Sequence, residues 1–179
     1  MLKISALEQI NDIKERYNQQ LSAVSYQINI CAGTGCIANG ALRVYEEFLK
    51  QLEKYEINLV VNLITEEHTN TENSAFVYQS GCHGFCQMGP LVDVHPLGVL
   101  YTRVKPSNVN QIIERTILKG EVIEELLYHD HLGNSYKDSN DIPFYSLQKR
   151  NTLDKCGSID STDINAYLAG GGYTAAFRV

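Results

Sequence analysis

Apolar positions recur along this chain with two different periods, and the switches between them mark out its elements. From Ser5 to about residue 22, Leu7, Ile10, Ile13, Tyr17 and Leu21 fall at three- and four-residue steps. That spacing predicts an amphipathic helix, and Ser5 with Glu8 has the spacing of a capping box at its start. Ser25–Ile30 alternates apolar and polar and predicts a strand. A second helical stretch runs from Gly40 to about Tyr55, with Asn39 as the expected N-cap and Leu42, Val44, Tyr45, Phe48, Leu49, Leu52 and Tyr55 as its apolar stripe. Ile57–Ile64 is rich in β-branched residues and predicts a mostly buried strand. Thr65–Ser74 is polar and reads as a surface loop, and Ala75–Gln79 as a short strand. Leu91–His95 and Val99–Val104 both alternate around Pro96-Leu97-Gly98, which predicts a hairpin. Ser107 is the expected cap of a helix to Lys119 that Gly120 ends.

The resulting order is helix, then β-α-β, then β-β-α. The first pair of strands suits a parallel unit with a crossover helix, and the second an antiparallel hairpin. The expected fold class is α/β: a thioredoxin-like mixed sheet covered by helices, with an N-terminal helix and a C-terminal extension. The expected division is 1–22 for the N-terminal helix, 23–120 for the sheet domain and 121–179 for the extension. Within the extension Val122–Tyr128 is a short ordered segment, His129–Asp141 a polar linker, Pro143–Gln148 the start of a small unit, and Asp163–Ala169 a helix stopped by Gly170-Gly171-Gly172.

Charge narrows the range of partners. The formal net charge is −6, which disfavours nucleic acid, since phosphate binding needs a clustered basic surface. No apolar run approaches the ~18 residues needed to span a bilayer. The first residues, Met1-Leu2-Lys3-Ile4-Ser5, lack a long apolar stretch, so a cytoplasmic location without membrane insertion is expected.

Four of the five cysteines stand in two short loops, Cys31-Ala-Gly-Thr-Gly-Cys36 and Gly81-Cys82-His-Gly-Phe-Cys86, each just after a predicted strand. Paired cysteines in a reducing compartment point to metal or redox chemistry. Four thiolates in two close pairs suit a [2Fe-2S] cluster, which takes two sulfur ligands per iron. Gly33, Gly35, Gly81 and Gly84 allow close backbone approach, with N–H groups aimed at sulfur. Ile37, Phe85 and Met88 are expected to restrict water. Zinc also fits four cysteines, although structural zinc favours tighter knuckles, and spacing alone leaves it open. A redox disulfide would need C-x-x-C, and a plant-type ferredoxin would need its third cysteine two residues beyond the first pair; neither occurs. His83, His129 and His131 read as solvated, Cys156 as a packed free thiol, and Pro90 as a candidate for a cis peptide.

Cys31-Ala-Gly-Thr-Gly-Cys36-Ile-Ala-Asn-Gly40 and Gly81-Cys82-His-Gly-Phe-Cys86-Gln-Met-Gly-Pro90-Leu-Val resemble the thioredoxin-like [2Fe-2S] ferredoxin domain of NADH-dehydrogenase-type flavoproteins. In particular they resemble the N-terminal part of the diaphorase (beta) subunit of NAD-dependent, electron-bifurcating iron-only hydrogenases. The similarity continues through Val104-Lys-Pro106, Leu118-Lys-Gly120, Asp141-Ile-Pro-Phe-Tyr145, Cys156-Gly-Ser-Ile-Asp160 and Gly171-Gly-Tyr173. The resemblance implies that Cys31, Cys36, Cys82 and Cys86 ligate one [2Fe-2S] cluster and that the chain transfers electrons within an NADH dehydrogenase- or hydrogenase-type complex. It also implies that 121–179 is a linker and the start of a truncated flavoprotein-type module. The family's glycine-rich flavin and NADH loop and its further cysteine cluster are not in this sequence. The expected partner is therefore a flavin, NADH-oxidising subunit or domain, with hydrogenase or formate dehydrogenase subunits as further candidates. Catalysis by this chain alone is not expected. The alternative is an interaction module of such a complex with a structural zinc.

Overall fold

Tyr26–Cys31 (β1) occupies the middle of the sheet, where Ile28, Asn29, Ile30 and Cys31 are all buried. In the computed structural model, which describes residues 7–64 and 73–177, five strands lie in the order β2-β3-β1-β4-β5. These are Asn58–Val60 (β2), Ser74–Ser80 (β3), Val92–His95 (β4) and Val99–Tyr101 (β5) around β1. β1 runs parallel to β3, and β3 parallel to β2, while β4 pairs antiparallel with both β1 and β5. The mixed thioredoxin-like α/β layout is thus present.

The sheet buries two different faces. Ile28, Ile30, Ala75 and Val77 pack against Ala41–Lys54 (α3), whose Val44, Phe48 and Leu52 recur every four residues and are fully buried. Val109, Ile112 and Ile113 join the same core from Pro106–Gln111 (α4) and its continuation, Ile112–Ile117, wound as a π-helix. On the other face Phe76 and Tyr78 stack and pack with Tyr17 and Val24 from Leu7–Ala23 (α1) and its end. Ala166 and Ala169 from the chain's last long helix, Ile164–Ala169 (α6), complete that cluster.

Several boundaries differ from expectation, each for a local reason. Ser5, the expected cap of α1, and most of the Thr65–Ser74 loop lie outside the described residues. Asn39 does not start α3. It closes a short helix, Thr34–Ala38 (α2), inside the first cysteine loop, and Gly40 takes the left-handed φ of 96° that lets α3 begin. The Ile57–Ile64 run is a strand only to Val60; Leu63 leaves the ladder and is instead buried beside Phe76 and Tyr78. Ser107 lies within the first turn of α4. The cap is Lys105, whose N–H donates to Asn108 Oδ1 at 2.9 Å, with Pro106 at the first helical position.

After Gly120 the chain turns back over the sheet domain. Ile123, Leu127 and Ile142 enter the main core. The polar stretch expected as a linker contains a small hairpin, Tyr128–His129 (β6) with Ser135–Tyr136 (β7). Pro143–Ser146 (α5) follows. Further on, Asp160 bridges to Ser80 and Ser161 N–H donates to Gln79 O, tying the extension to the end of β3.

Candidate metal centre

The parallel register sets Cys31, the last residue of β1, directly opposite Ser80, the last residue of β3. Both cysteine loops therefore leave the same sheet edge side by side, at the carboxyl ends of adjacent parallel strands. Ala32 N–H donates to Ser80 O, and Cys31 N–H to Leu91 O, which closes the edge on both sides. α2 then lifts Cys36 back over Cys31. Cys86 opens a single helical turn, Cys86–Met88, which brings it to 3.7 Å from Cys82 between sulfurs.

The sulfurs form two pairs in contrasting surroundings. Cys31 and Cys36 are each 1% exposed, while Cys82 and Cys86 face solvent. The Cys36 thiol donates to Cys31, and the backbone N–H groups of His83 and Gly33 also face that sulfur, so Cys31 is held down to about 5 against the effect of burial. The shared hydrogen bond and burial push Cys36 upward, opposed by the N–H of Leu91. In the outer pair, the Gly84 N–H donates to Cys82 Sγ at 3.3 Å, and Cys82 raises the pKa of Cys86 through the contact between them. No three His, Cys, Asp or Glu side chains among the described residues share a position suited to a single ion.

A cradle of missing side chains surrounds these sulfurs. A Cβ on Gly33 would sit 2.8 Å from Cys82 Cβ and 2.9 Å from its sulfur. One on Gly89 would sit 2.5 Å from Cys36 Sγ, and one on Gly35 3.3 Å from Cys86 Cβ. The distances at Gly33 and Gly89 leave no room for a side chain without a shift of the cysteine, and that at Gly35 is tight. Gly33 and Gly35 thus adjoin the cysteines of the outer loop as expected, Gly84 meets sulfur through its N–H while its Cα faces Arg150 and Phe144, and Gly81 faces Cys156. Four thiol donors in two pairs, inward N–H groups and a glycine cradle fit a [2Fe-2S] cluster, with a separate pair for each iron.

The extension backs the outer loop. Phe85 is buried and stacks on Phe144 at 4.6 Å, with Tyr128 and Tyr145 at its edges. Arg150 Nη2 donates to His83 O at 2.6 Å, and its guanidinium lies over the Tyr145 ring. Asn29, pointing to the second face of β1, donates from Nδ2 to Gly157 O at 2.6 Å. Gly157, at φ 89°, presses on the His83 ring, where a Cβ would lie 3.0 Å away. His83 is therefore not the solvated residue expected. It is only 6% exposed, it bonds Ser80 Oγ through Nε2 at 3.0 Å, and burial lowers its pKa. The reason is that residues some seventy positions downstream cover it. Of the apolar residues expected to exclude water, Phe85 is buried and Met88 half-buried, but Ile37 is 42% exposed. The Gly89–Pro90 peptide is cis, and so is His95–Pro96. Cys156 is a free, half-buried thiol. Arg150, Phe144, Gly157 and the N–H groups of His83 and Leu91 escaped sequence reasoning. Phe144 and Gly157 each had a signal, as part of the Asp141–Tyr145 and Cys156–Asp160 stretches.

The family model described as thioredoxin-like [2Fe-2S] ferredoxin matches residues 8–117. A protein of Aquifex aeolicus (strain VF5) named "Ferredoxin, 2Fe-2S" is 30% identical over 92 residues, 51% of this chain and 71% of that protein. A solved thioredoxin-like [2Fe-2S] ferredoxin from Aquifex aeolicus aligns with 57% of this chain and 89% of its own at 25% identity and a TM-score of 0.45. A chain of an NAD+-reducing [NiFe]-hydrogenase aligns with 68% of this chain and 22% of its own at 12% identity and a TM-score of 0.42.

Proposed function

The chain belongs to the thioredoxin-like [2Fe-2S] ferredoxin family, and from that premise we propose that Cys31, Cys36, Cys82 and Cys86 ligate its [2Fe-2S] cluster and that it passes single electrons between protein partners. The observation that carries this reading is the arrangement of the four sulfurs as two pairs, one buried and one at the surface. A tetrahedral zinc would draw four sulfurs around one point. The cluster, when bound, supplies one-electron redox chemistry. The chain's own groups do the rest. Backbone N–H groups of Gly33, His83, Gly84 and Leu91 offset negative charge on the ligand sulfurs. Phe85 and the rings around it keep water from one side of the outer loop. Cys82 and Cys86 bring ligand sulfur to the surface, where a partner can come into contact range. No side-chain acid or base is needed.

Among the described residues no helix is long and apolar enough to cross a membrane. We place the chain in the cytoplasm, beside a flavin subunit or domain that oxidises NADH, within a hydrogenase-, formate dehydrogenase- or NADH dehydrogenase-type assembly. The likeness of the motifs on both sides of residue 120 to the diaphorase subunits supports this. In that reading 23–120 is the cluster domain and 121–179 is the linker and the start of a flavoprotein-type module. Protein purified without oxygen should be red-brown, with about two irons and two inorganic sulfides per chain. A colourless protein that holds zinc and takes up no iron on cluster reconstitution contradicts the proposal.

A further inference from the structure

The chain as a whole is acidic, with a formal charge of −6, but basic side chains outnumber acidic ones around the outer loop, where Asp93, in one cavity with His83 and Arg150, and Glu125 are the acidic exceptions. Segments 31–45, 73–92, 101–113 and 142–153 contain no Asp or Glu and contribute Arg43, Arg103, Lys105, Lys149 and Arg150. Contacts tie Arg103, Lys105 and Arg150 to the outer loop and the turn after it. The Arg103 N–H donates to Met88 O at 2.7 Å, and Arg103, Lys105 and Met88 line one cleft, which Glu125 also lines. Arg150 holds His83 O. The Arg43 guanidinium lies 3.0 Å from where a Cβ on Gly40 would be, four residues after Cys36. Arg43, Arg103, Lys105 and Lys149 are exposed, and none is in an ion pair among the described residues. Ile37, also exposed, adds an apolar contact next to Cys36.

We propose that this cationic rim around Cys82 and Cys86 docks an acidic face of the redox protein with which the chain exchanges electrons; the inference rests on the function proposed above. Over distances longer than the Debye length, about 8 Å at physiological ionic strength, the net charge is screened, and the local rim governs the final approach. Complementary charge of this kind steers encounter and fixes orientation more than it adds affinity. A nucleic acid would need a broader basic surface than the chain's overall charge allows.

The test uses the reduced, cluster-bearing protein and two small oxidants of opposite charge, hexacyanoferrate(III) and hexaammineruthenium(III), in stopped flow. Raising ionic strength from about 0.1 M to about 1 M, over which the Debye length falls from about 10 Å to about 3 Å and the net charge stays screened, should slow the anionic oxidant by about twofold or more and speed the cationic one. The double variant Arg103→Glu/Lys105→Glu should reverse both trends, and Arg103→Gln/Lys105→Gln should flatten them. Lys54→Glu, at the far end of α3, should leave them unchanged. All variants should keep the visible spectrum of the parent. An anionic oxidant that speeds up with salt, or rim variants that behave like Lys54→Glu, would overturn the rim with the cluster intact. Absence of the cluster's visible spectrum from the parent protein would instead defeat the functional reading on which the rim depends.

Discussion

The two cysteine pairs do the same chemical job from opposite structural positions. Cys31 and Cys36 are buried at the end of the central strand, under α2 and against the main core. Cys82 and Cys86 are exposed on a loop whose regular structure is one helical turn. The inner pair sits on elements adjacent to it in sequence, β1 and α2, with the N–H groups of His83 and Leu91 from the second loop turned to its sulfurs. The outer pair is held by residues far away: Phe144 on Phe85, Arg150 on the His83 carbonyl, and Gly157 under the His83 ring. A relay needs both properties, ligands that stay fixed and ligands that can be approached. Here the first comes from burial, and the second from an exposed loop braced from behind.

Replacing ligands should separate the two roles most sharply. Cys36→Ser and Cys86→Ser should both abolish the visible absorption of the cluster. Only Cys36→Ser should also destabilise the cluster-free fold, by about 1–3 kcal/mol in chemical denaturation, since it buries a hydroxyl among apolar neighbours. The exposed Cys86→Ser should stay within about 0.5 kcal/mol. Equal destabilisation by the two would end the distinction between inner and outer pairs.

Filling the cradle comes next in size. Gly89→Ala presses on Cys36 and Gly33→Ala on Cys82, and overpacking of this kind costs about 1–3 kcal/mol. Iron content after reconstitution should fall below roughly half of the parent value in both, because a displaced sulfur loses ligand geometry. Full occupancy in either variant would mean that the loops have more slack than the contacts indicate.

Loosening the brace should cost less and touch the outer loop alone. Phe144→Ala removes a stacked ring, worth about 0.5–1.5 kcal/mol beyond its buried area. Arg150→Ala removes the hydrogen bond of a half-buried guanidinium to His83 O, and a more exposed one to Gln148 Oε1, about 1 kcal/mol in all. Both should hasten loss of the visible band under an iron chelator, Phe144→Ala the more. Arg150→Ala also removes a positive charge, so its midpoint potential should drop, by a shift on the order of tens of mV. An unchanged chelation rate in both variants would show that the extension does not support the loop. Cys156→Ser, which changes no loop sulfur, should leave spectrum and potential unaltered.

Sequence reasoning reached the inner half of this site more fully than the outer half. The alternating Ser25–Ile30 and the four-residue recurrence of Val44, Phe48 and Leu52 each bury one face locally, so periodicity located β1 and α3. It also placed both cysteine loops just after strands. The short helix Thr34–Ala38, which carries Cys36, escaped it, since five residues are too few to display a period. His83 was misjudged for a different reason. Its burial comes from Gly157 and Arg150, and nothing near position 83 announces residues so distant in sequence. The polar composition of 129–141 likewise hid that Ile142 just beyond it is wholly buried. Apolar patterning reports what an element buries, not which remote segment covers it.

The most direct test is a coulometric reduction of the Cys156→Ser protein followed by electron paramagnetic resonance. That variant has four thiols left, all of them in the two loops. The account predicts uptake of about one electron per chain, reversibly, with about one unpaired spin per chain in the reduced form. A metal-loaded protein that accepts no electron and shows no spin signal would contradict it.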